Sequence, residues 1–283
     1  MAKYSLIRII TGAILILFAG SCATEKDYLI TIDTNYGKMY AILYDETPAH
    51  KENFIDLASS GRYDSTSFYR IIEDFMIQGG DVFNKEGLDK EDWYTLPAEF
   101  NENLIHEKGS IAAARQGDNI NPEMRSSGCQ FYIVEGKVYD DTSLTTDIRK
   151  LQKAFSKYLQ LDSNTELRNK YSELYQKGEY DSINSLMLSN KIVLEKFFNL
   201  NLGLDKRKNQ IQAYTTVGGT PHLDDTYTVF GKVIKGLDVL DDISSLETRG
   251  NDLPVEPVYM KVNVELVSKK KIAKEYGYQY PQE

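Results

Sequence analysis

The stretch that decides the fold spans residues 68–81 and reads FYRIIEDFMIQGGD. Taken as a strand with a period of two, it predicts Phe68, Arg70 and Ile72 on one face and the intervening residues on the other. Burying a guanidinium without partners costs free energy. Arg70, between apolar neighbours, is therefore expected either at the rim of a barrel or in a functional site. From this stretch alone, it is equally consistent that Arg70 only lies along the protein surface, with its aliphatic stem on apolar neighbours.

The residues after this strand are those that a pocket needs. Phe75 and Met76 supply an apolar wall, Gln78 supplies an amide, and a Gly-Gly-Asp turn at 79–81 changes the chain direction. This combination indicates a pocket for an apolar group that carries a carbonyl.

The segment resembles the signature of the cyclophilin family of peptidyl-prolyl isomerases, which reads Phe-His-Arg and then Phe-Met-x-Gln-Gly-Gly-Asp. Tyr69 replaces the usual histidine, and the other named positions match. Three further blocks follow in the family's order: GSIAAAR at 109–115, SGCQFYI at 127–133 and PHLDDTYTVFG at 221–231. On these four ordered blocks the chain is identified as a member of the family.

The resemblance implies a mainly β fold, a closed antiparallel eight-stranded cyclophilin-like barrel with flanking helices. We expect the barrel domain at 28–140 and 214–268, because these parts together have an ordinary domain size. Residues 141–213 lie in a proline-free region with apolar residues at helical spacing, which predicts an inserted α-helical subdomain. The insertion is either a lid or docking surface near the pocket or a packing module without substrate contact.

The activity implied is rotation about the peptide bond before proline, which needs no metal and no cofactor. The family pattern assigns Arg70 as the donor that favours the twisted amide and Gln78 as the residue that holds Arg70. It assigns substrate binding to nine further residues: Phe75, Met76, Ala114, Gln130, Phe131, Tyr132, His222, Leu223 and Tyr227. The alternative is a non-catalytic module that binds proline peptides or partners through the pocket or the insertion.

Several positions depart from the family pattern. His222 stands where many members carry a rim tryptophan, although it also fits a partly exposed loop histidine. Tyr227 stands where a pocket histidine is common, and Arg115 where an asparagine is common. Asp224 and Asp225 replace an Asp-Gly turn, which predicts a different turn geometry beside the slot.

The first residues predict export. Lys3 and Arg8 precede an apolar run at 9–18, which is too short to span a bilayer and has the form of a secretory signal. The Ala-Gly-Ser-Cys ending resembles a bacterial lipoprotein signal. It implies a signal peptide at 1–21, lipidation of Cys22, a linker at 22–27 and an anchor facing the periplasm or the cell surface. An ordinary signal peptide that leaves Cys22 as a free thiol is the alternative.

Charge and cysteine content limit the partners. The chain has 33 Lys and Arg against 42 Asp and Glu, and loss of the two basic residues before Cys22 gives a mature net charge of −11. Such a body is a poor partner for nucleic acid. The expected partners are proline-containing polypeptides and, through the lipid, a membrane. Cys129 is expected to be a small buried residue, residues 269–283 a solvated tail, and the oligomeric state is left open.

Overall fold

The computed structural model describes residues 25–281, so the predicted signal peptide and Cys22 lie outside the described residues. Twelve strands are found there: β1 (Lys26–Thr34), β2 (Gly37–Leu43), β3 (Ser67–Ile72), β4 (Met76–Gly79), β5 (Thr95–Leu96), β6 (Ser110–Ala113), β7 (Ser126–Ser127), β8 (Phe131–Val134), β9 (Val229–Lys235), β10 (Thr248–Arg249), β11 (Leu253–Pro254) and β12 (Val258–Ser268). Eight of them close into one antiparallel barrel in the order β1-β12-β3-β4-β8-β6-β9-β2. This confirms the predicted barrel. β1 begins at Lys26, two residues inside the predicted linker.

Helices flank the barrel and fill the predicted insertion. They are α1 (Pro48–Ser59), α2 (Val82–Lys85), α3 (Asp141–Leu144), α4 (Ile148–Leu159), α5 (Thr165–Lys177), α6 (Tyr180–Ser189), α7 (Lys191–Phe198), α8 (Lys208–Tyr214), α9 (Leu237–Ser244) and α10 (Lys269–Tyr276). None of the helices in this part of the chain has the length and apolar character that a membrane crossing requires.

The barrel interior is a closed apolar core. Alternate residues of each strand point inward, so that Ile30, Ile32 and Met260 are almost fully buried. Helix α1 adds Phe54 to the same core and α9 adds Leu240. Because this interior is filled by side chains, a ligand site has to lie on the outer face of the strands.

Strand β3 differs from plain alternation. A β-bulge between Phe68 and Arg70 interrupts its pairing with β4. An extra residue shifts the alternation by one position, so Phe68 and Ile71 both join the barrel core. The predicted grouping of Phe68 with Arg70 and Ile72 on one face is therefore wrong.

The insertion forms a helical unit with its own core. Leu151, Phe155 and Leu194 are nearly inaccessible to solvent, and they pack with neighbours from α4, α6 and α7. At the base of this unit, the Asp147 backbone N–H donates to the Leu202 carbonyl over 2.8 Å. The insertion therefore buries its apolar residues mainly within itself.

The C-terminal segment is not the solvated tail that the sequence predicted. Ser268 caps α10 by accepting a hydrogen bond from the Lys271 backbone N–H, and Ile272 is fully buried. Ile272 packs in a cluster with Val267 and Leu29, which point outward from the barrel. Leu266, at the end of β12, is 51% exposed. Because lysines dominate the composition of this segment, the sequence did not reveal the apolar face of α10.

Candidate active site

A cleft of about 530 Å³ opens on the outer face of the barrel. Its floor comes from β4 and β8, whose intervening residues Ile77 and Ile133 point into the barrel core. Nine of the eleven predicted site residues line it: Arg70, Phe75, Met76, Gln78, Ala114, Gln130, Tyr132, Leu223 and Tyr227. The structure thus brings together residues from all four sequence blocks, and their roles in catalysis stay predictions.

Arg70 is held by a carboxylate that the sequence did not predict. Its Nε donates to the Asp252 Oδ2 over 3.2 Å, and both side chains are partly exposed. Asn251 and Asp252 both adopt positive φ angles, 66° and 60°, which asparagine and aspartate tolerate better than other residues with a Cβ. The terminal amino groups of Arg70 make no hydrogen bond within residues 25–281, and the Arg70 side chain lines the cleft.

Gln78 does not hold Arg70. It lies opposite Arg70 in the strand register, but its Nε2 donates to the Tyr69 hydroxyl over 2.6 Å. Burial raises the pKa of Tyr69, so its hydroxyl remains protonated. Among the described residues Gln78 makes no hydrogen bond to Arg70, and Asp252 takes the holding role that the sequence assigned to Gln78.

Phe131 lies in the barrel core and not in the cleft wall. It is 1% exposed and makes edge-to-face contacts with Phe54 and Tyr63, at centroid distances of 5.4 and 5.5 Å. Its neighbour Tyr132 points the other way, onto the cleft. Adjacent strand residues face opposite sides of a sheet, so Phe131 and Tyr132 cannot both line the slot, and the assignment of Phe131 is corrected.

Tyr132 is fixed by a buried polar chain. Its hydroxyl lies 3.0 Å from His106 Nε2, and His106 Nδ1 lies 3.0 Å from Asp224 Oδ1. A carboxylate only accepts, so Nδ1 carries the hydrogen in this contact. Burial opposes the charge of Asp224, but hydrogen bonds from His106 and Tyr214 outweigh it and hold the pKa of that carboxyl below its usual range. Asp224 is thus a charged, buried anchor.

Residues 220–228, here called the lip segment, close one side of the cleft. Tyr227 packs edge-to-face on Tyr132, and the Arg115 guanidinium lies 4.4 Å from the Tyr227 ring centroid. Arg115 Nε also donates to the Thr226 carbonyl over 2.8 Å. Arginine in the place of the family's asparagine therefore fastens the lip segment from the barrel side.

His222 lies at the rim. It is exposed and does not line the cleft, but its ring stacks on Phe75 with centroids 5.5 Å apart and planes 25° apart. Loss of hydration where the ring packs on Phe75, together with the nearby His106, lowers the pKa of the His222 imidazole, so it is neutral near pH 7. His222 therefore supports the cleft wall through Phe75, as a rim residue would, and it is also an exposed loop histidine. Each of the two sequence interpretations is thus partly correct.

Half of the cleft was not predicted. Beyond the proline-sized slot it is lined by Lys90, Trp93, Tyr94, Asn121 and Arg125, from the loops around β5 and β7. Four of its lining side chains are cationic and none is acidic. Loop residues follow no hydrophobic period, so only the clustering of Arg115 and Arg125 near the third block offered a signal.

Other chemistry has little support in this region. Within the part of the chain that the structure describes, no three His, Cys, Asp or Glu side chains group so as to hold a metal ion. Burial raises the pKa of the Cys129 thiol, which keeps it protonated and a poor nucleophile. The cleft offers a ligand an apolar slot, side-chain amides and hydrogen-bond donors held in place by their neighbours.

The described residues form a closed barrel with an outer cleft in which apolar side chains lie beside Arg70. The family model for "Cyclophilin type peptidyl-prolyl cis-trans isomerase/CLD" matches residues 29–154 and 197–264. These ranges cover more than half of the chain and include all four sequence blocks. The chain belongs to the cyclophilin-type peptidyl-prolyl cis-trans isomerases, and the unmatched residues between the two ranges lie in the helical insertion.

Two bacterial proteins and one solved structure are similar to this chain. A Streptococcus pyogenes protein named for phosphatase and peptidyl-prolyl isomerase activities is 30% identical over 82% of this chain, which spans only 37% of that protein. A Staphylococcus saprophyticus protein named as a peptidyl-prolyl isomerase is 27% identical over 81% of this chain and 87% of its own length. A cyclophilin-type isomerase structure from Cryptosporidium parvum gives a TM-score of 0.49 at 17% identity, covering 85% of this chain and 98% of that one.

The Asp252 contact leads to a prediction. Asp252→Asn keeps the side-chain size but removes the charge that orients Arg70, so we expect kcat/KM for an Ala-Pro peptide to fall about two- to fivefold at low salt. The fall should shrink as salt screens this exposed pair. Glu256→Gln, at an exposed carboxylate just beyond β11, is the control. A rate for Asp252→Asn at or above wild type would mean that Asp252 competes with substrate for Arg70.

Proposed function

We propose that this enzyme accelerates rotation about Xaa-Pro bonds in exported polypeptides, with Arg70 as the hydrogen-bond donor. The observation that carries the proposal is the position of Arg70. Its two terminal amino groups have no partner among residues 25–281, and they share the cleft with Phe75, Met76 and Tyr132. An apolar slot beside an unoccupied planar donor matches the two parts of a prolyl peptide, its ring and its carbonyl.

The reaction is chemically simple, but its free-energy barrier is high. Rotation about a peptide bond is opposed by about 18–20 kcal/mol, and no covalent bond is made or broken. A site lowers this barrier only through contacts that are stronger in the twisted amide than in the planar one. Arg70 supplies such a contact because its fork donates to the carbonyl of the proline residue and so lies beside the proline nitrogen, whose lone pair becomes localised as the amide twists.

The remaining cleft residues hold the peptide for this rotation. Met76, Tyr132 and Leu223 enclose the proline ring in an apolar surface, which fixes one side of the rotating bond. Gln130 and Ala114 border the same cleft, so they are placed to contact the peptide backbone before proline. With one side fixed, rotation of the other side suffices.

A refolding assay tests this proposal. Uncatalysed Xaa-Pro isomerisation takes tens to hundreds of seconds, so it limits the refolding of many unfolded proteins. We expect substoichiometric amounts of the chain to accelerate such a proline-limited phase about tenfold or more. An unchanged slow phase, with the chain shown to be folded, would contradict the proposal.

The place of action is proposed from the sequence. The basic start, the apolar run at 9–18 and the following Ala-Gly-Ser-Cys support export and lipidation of Cys22. Cells that express the full chain should incorporate labelled palmitate into wild type and into Cys129→Ser, but not into Cys22→Ser. Label that persists in Cys22→Ser, or is missing from wild type, would contradict the anchor.

A further inference from the structure

The helical insertion does not line the cleft, yet its last helix reaches the lip segment. Every described cleft residue comes from outside residues 141–213. Helix α8 nevertheless contacts Asp224 through Gln210 and Tyr214, and Arg207, just before α8, pairs with Asp225 through two hydrogen bonds of 3.0 and 3.3 Å. The insertion therefore contacts residues that support the slot, and it forms no part of the slot surface.

Gln210 is committed to this contact by its surroundings. It is 4% exposed, and its Oε1 accepts a hydrogen bond from the Arg207 backbone N–H over 3.0 Å. That bond orients the amide, so Nε2 points at Asp224 Oδ2, 2.6 Å away. A buried glutamine fixed at both ends has little rotational freedom, which makes it suited to set the position of its partner.

Asp224 collects donors from both sides of the slot. The His106 backbone N–H and ring Nδ1 bind Oδ1, and the Tyr214 hydroxyl lies within 2.8 Å of both carboxylate oxygens. A buried carboxylate is stable only with such compensation. If one donor is removed, we expect the Asp224 carboxylate to shift toward the remaining donors and to displace His106 with it.

His106 transmits this position to the slot. Its ring is fully buried, stacks on Tyr132 with planes 14° apart, and contacts the Tyr132 hydroxyl through Nε2. Only the hydroxyl of Tyr132 allows this contact, which a phenylalanine at the same position could not make. A continuous set of hydrogen bonds thus joins α8 to the wall of the slot.

We propose that α8 is a positioning element of the proline slot, in which Gln210 and Tyr214 fix Asp224 and, through His106, the ring of Tyr132. The proposal rests on the proposed isomerase function of the same cleft. It assigns the insertion a role that is neither lid nor inert packing. Gln210 and Asp224 are positioning residues, since neither lines the cleft.

Matched substitutions on α8 test this role. Gln210→Leu removes the amide from the buried side, whereas Gln212→Leu makes the same change at an exposed position of the helix. With an Ala-Pro peptide we expect Gln210→Leu to lower kcat/KM roughly tenfold, because a hydrogen bond to a charged group is lost. Gln212→Leu should match wild type. Both are assayed at a temperature where circular dichroism shows them fully folded.

A double-mutant cycle separates positioning from general damage. If Gln210 acts through Tyr132, Gln210→Leu should cost only about twofold in a Tyr132→Phe background. Independent effects that multiply would overturn the proposal, as would equal rates for Gln210→Leu and Gln212→Leu.

An NMR measurement decides the claim even without turnover. The ring ¹⁵N signals of His106 and the aromatic signals of Tyr132 should shift in Gln210→Leu and stay in place in Gln212→Leu. Unchanged signals in both variants would overturn the positioning role. An inactive wild type whose signals respond as expected would contradict only the proposed function.

Discussion

Phe131→Ala is expected to destabilise the barrel by roughly 3–5 kcal/mol, the usual cost of deleting a fully buried aromatic ring. Phe131 packs against Phe54 and Tyr63, and the Cα of Gly80 approaches it so closely that an added Cβ would lie 2.7 Å from its ring. Gly80 has a φ of 78°, so the backbone there is specific to glycine. The space around Phe131 therefore has little freedom to collapse.

The matched change in the slot is Phe75→Ala. Phe75 is half-buried at the cleft and contacts the exposed His222, so its loss should change the free energy of unfolding by less than about 1.5 kcal/mol. It should lower kcat/KM about tenfold or more, since it removes part of the apolar surface that fixes proline. Urea unfolding and peptide turnover of both variants check this.

The two variants must separate stability from activity. Phe131→Ala, measured where it is folded, should retain most of its turnover. A stable Phe131→Ala that has lost activity would contradict the core assignment and restore Phe131 to the slot, as the sequence pattern first placed it.

The closed barrel was predicted from the resemblance of four sequence blocks to the family, and local strand signals agree with it. The hairpin of β1 and β2 and the alternating residues of β12 follow a period of two, and the four blocks mark the strands that carry the site. Arg70, Met76, Gln130 and Tyr132 were placed together by the resemblance of the four blocks to the family pattern. Patterns of this kind record which face of an element is buried.

Two errors had local causes that alternation cannot express. The bulge in β3 moved Phe68 away from the face of Arg70, because one extra residue reverses every later side chain. In β8, Phe131 and Tyr132 were both assigned to the slot although adjacent strand residues face opposite sides. A strict use of the strand period would have avoided the second error but not the first.

The remaining differences involve partners distant in the chain. Asp252 pairs with Arg70 across 182 residues, and Gln210 reaches Asp224 from helix α8 of the insertion. Helix α10 looked like a charged tail because one buried residue, Ile272, is hidden among lysines. No periodicity in a single sequence reports such contacts, since they depend on how separate elements meet.

Arg70→Ala is expected to lower kcat/KM for an Xaa-Pro peptide about 100-fold or more, the scale seen when an enzyme loses one preorganised donor. Arg70→Lys should recover little of this, because an ammonium keeps the charge but lacks the planar fork of donors. Arg62→Ala is the control, since Arg62 pairs with Glu86 and does not line the cleft. Unfolding curves of all three should stay close to wild type, as Arg70 is partly exposed.

The most direct measurement is NMR exchange spectroscopy on an Ala-Pro peptide, which follows the cis and trans forms without a coupled reaction. With catalytic amounts of wild type or Arg62→Ala, exchange should be fast enough to give cross-peaks between the two forms. With Arg70→Ala the cross-peaks should vanish, as in peptide alone. Exchange that is equally fast with wild type and Arg70→Ala, or equally slow with both, would contradict the account of Arg70 as the donor that drives rotation.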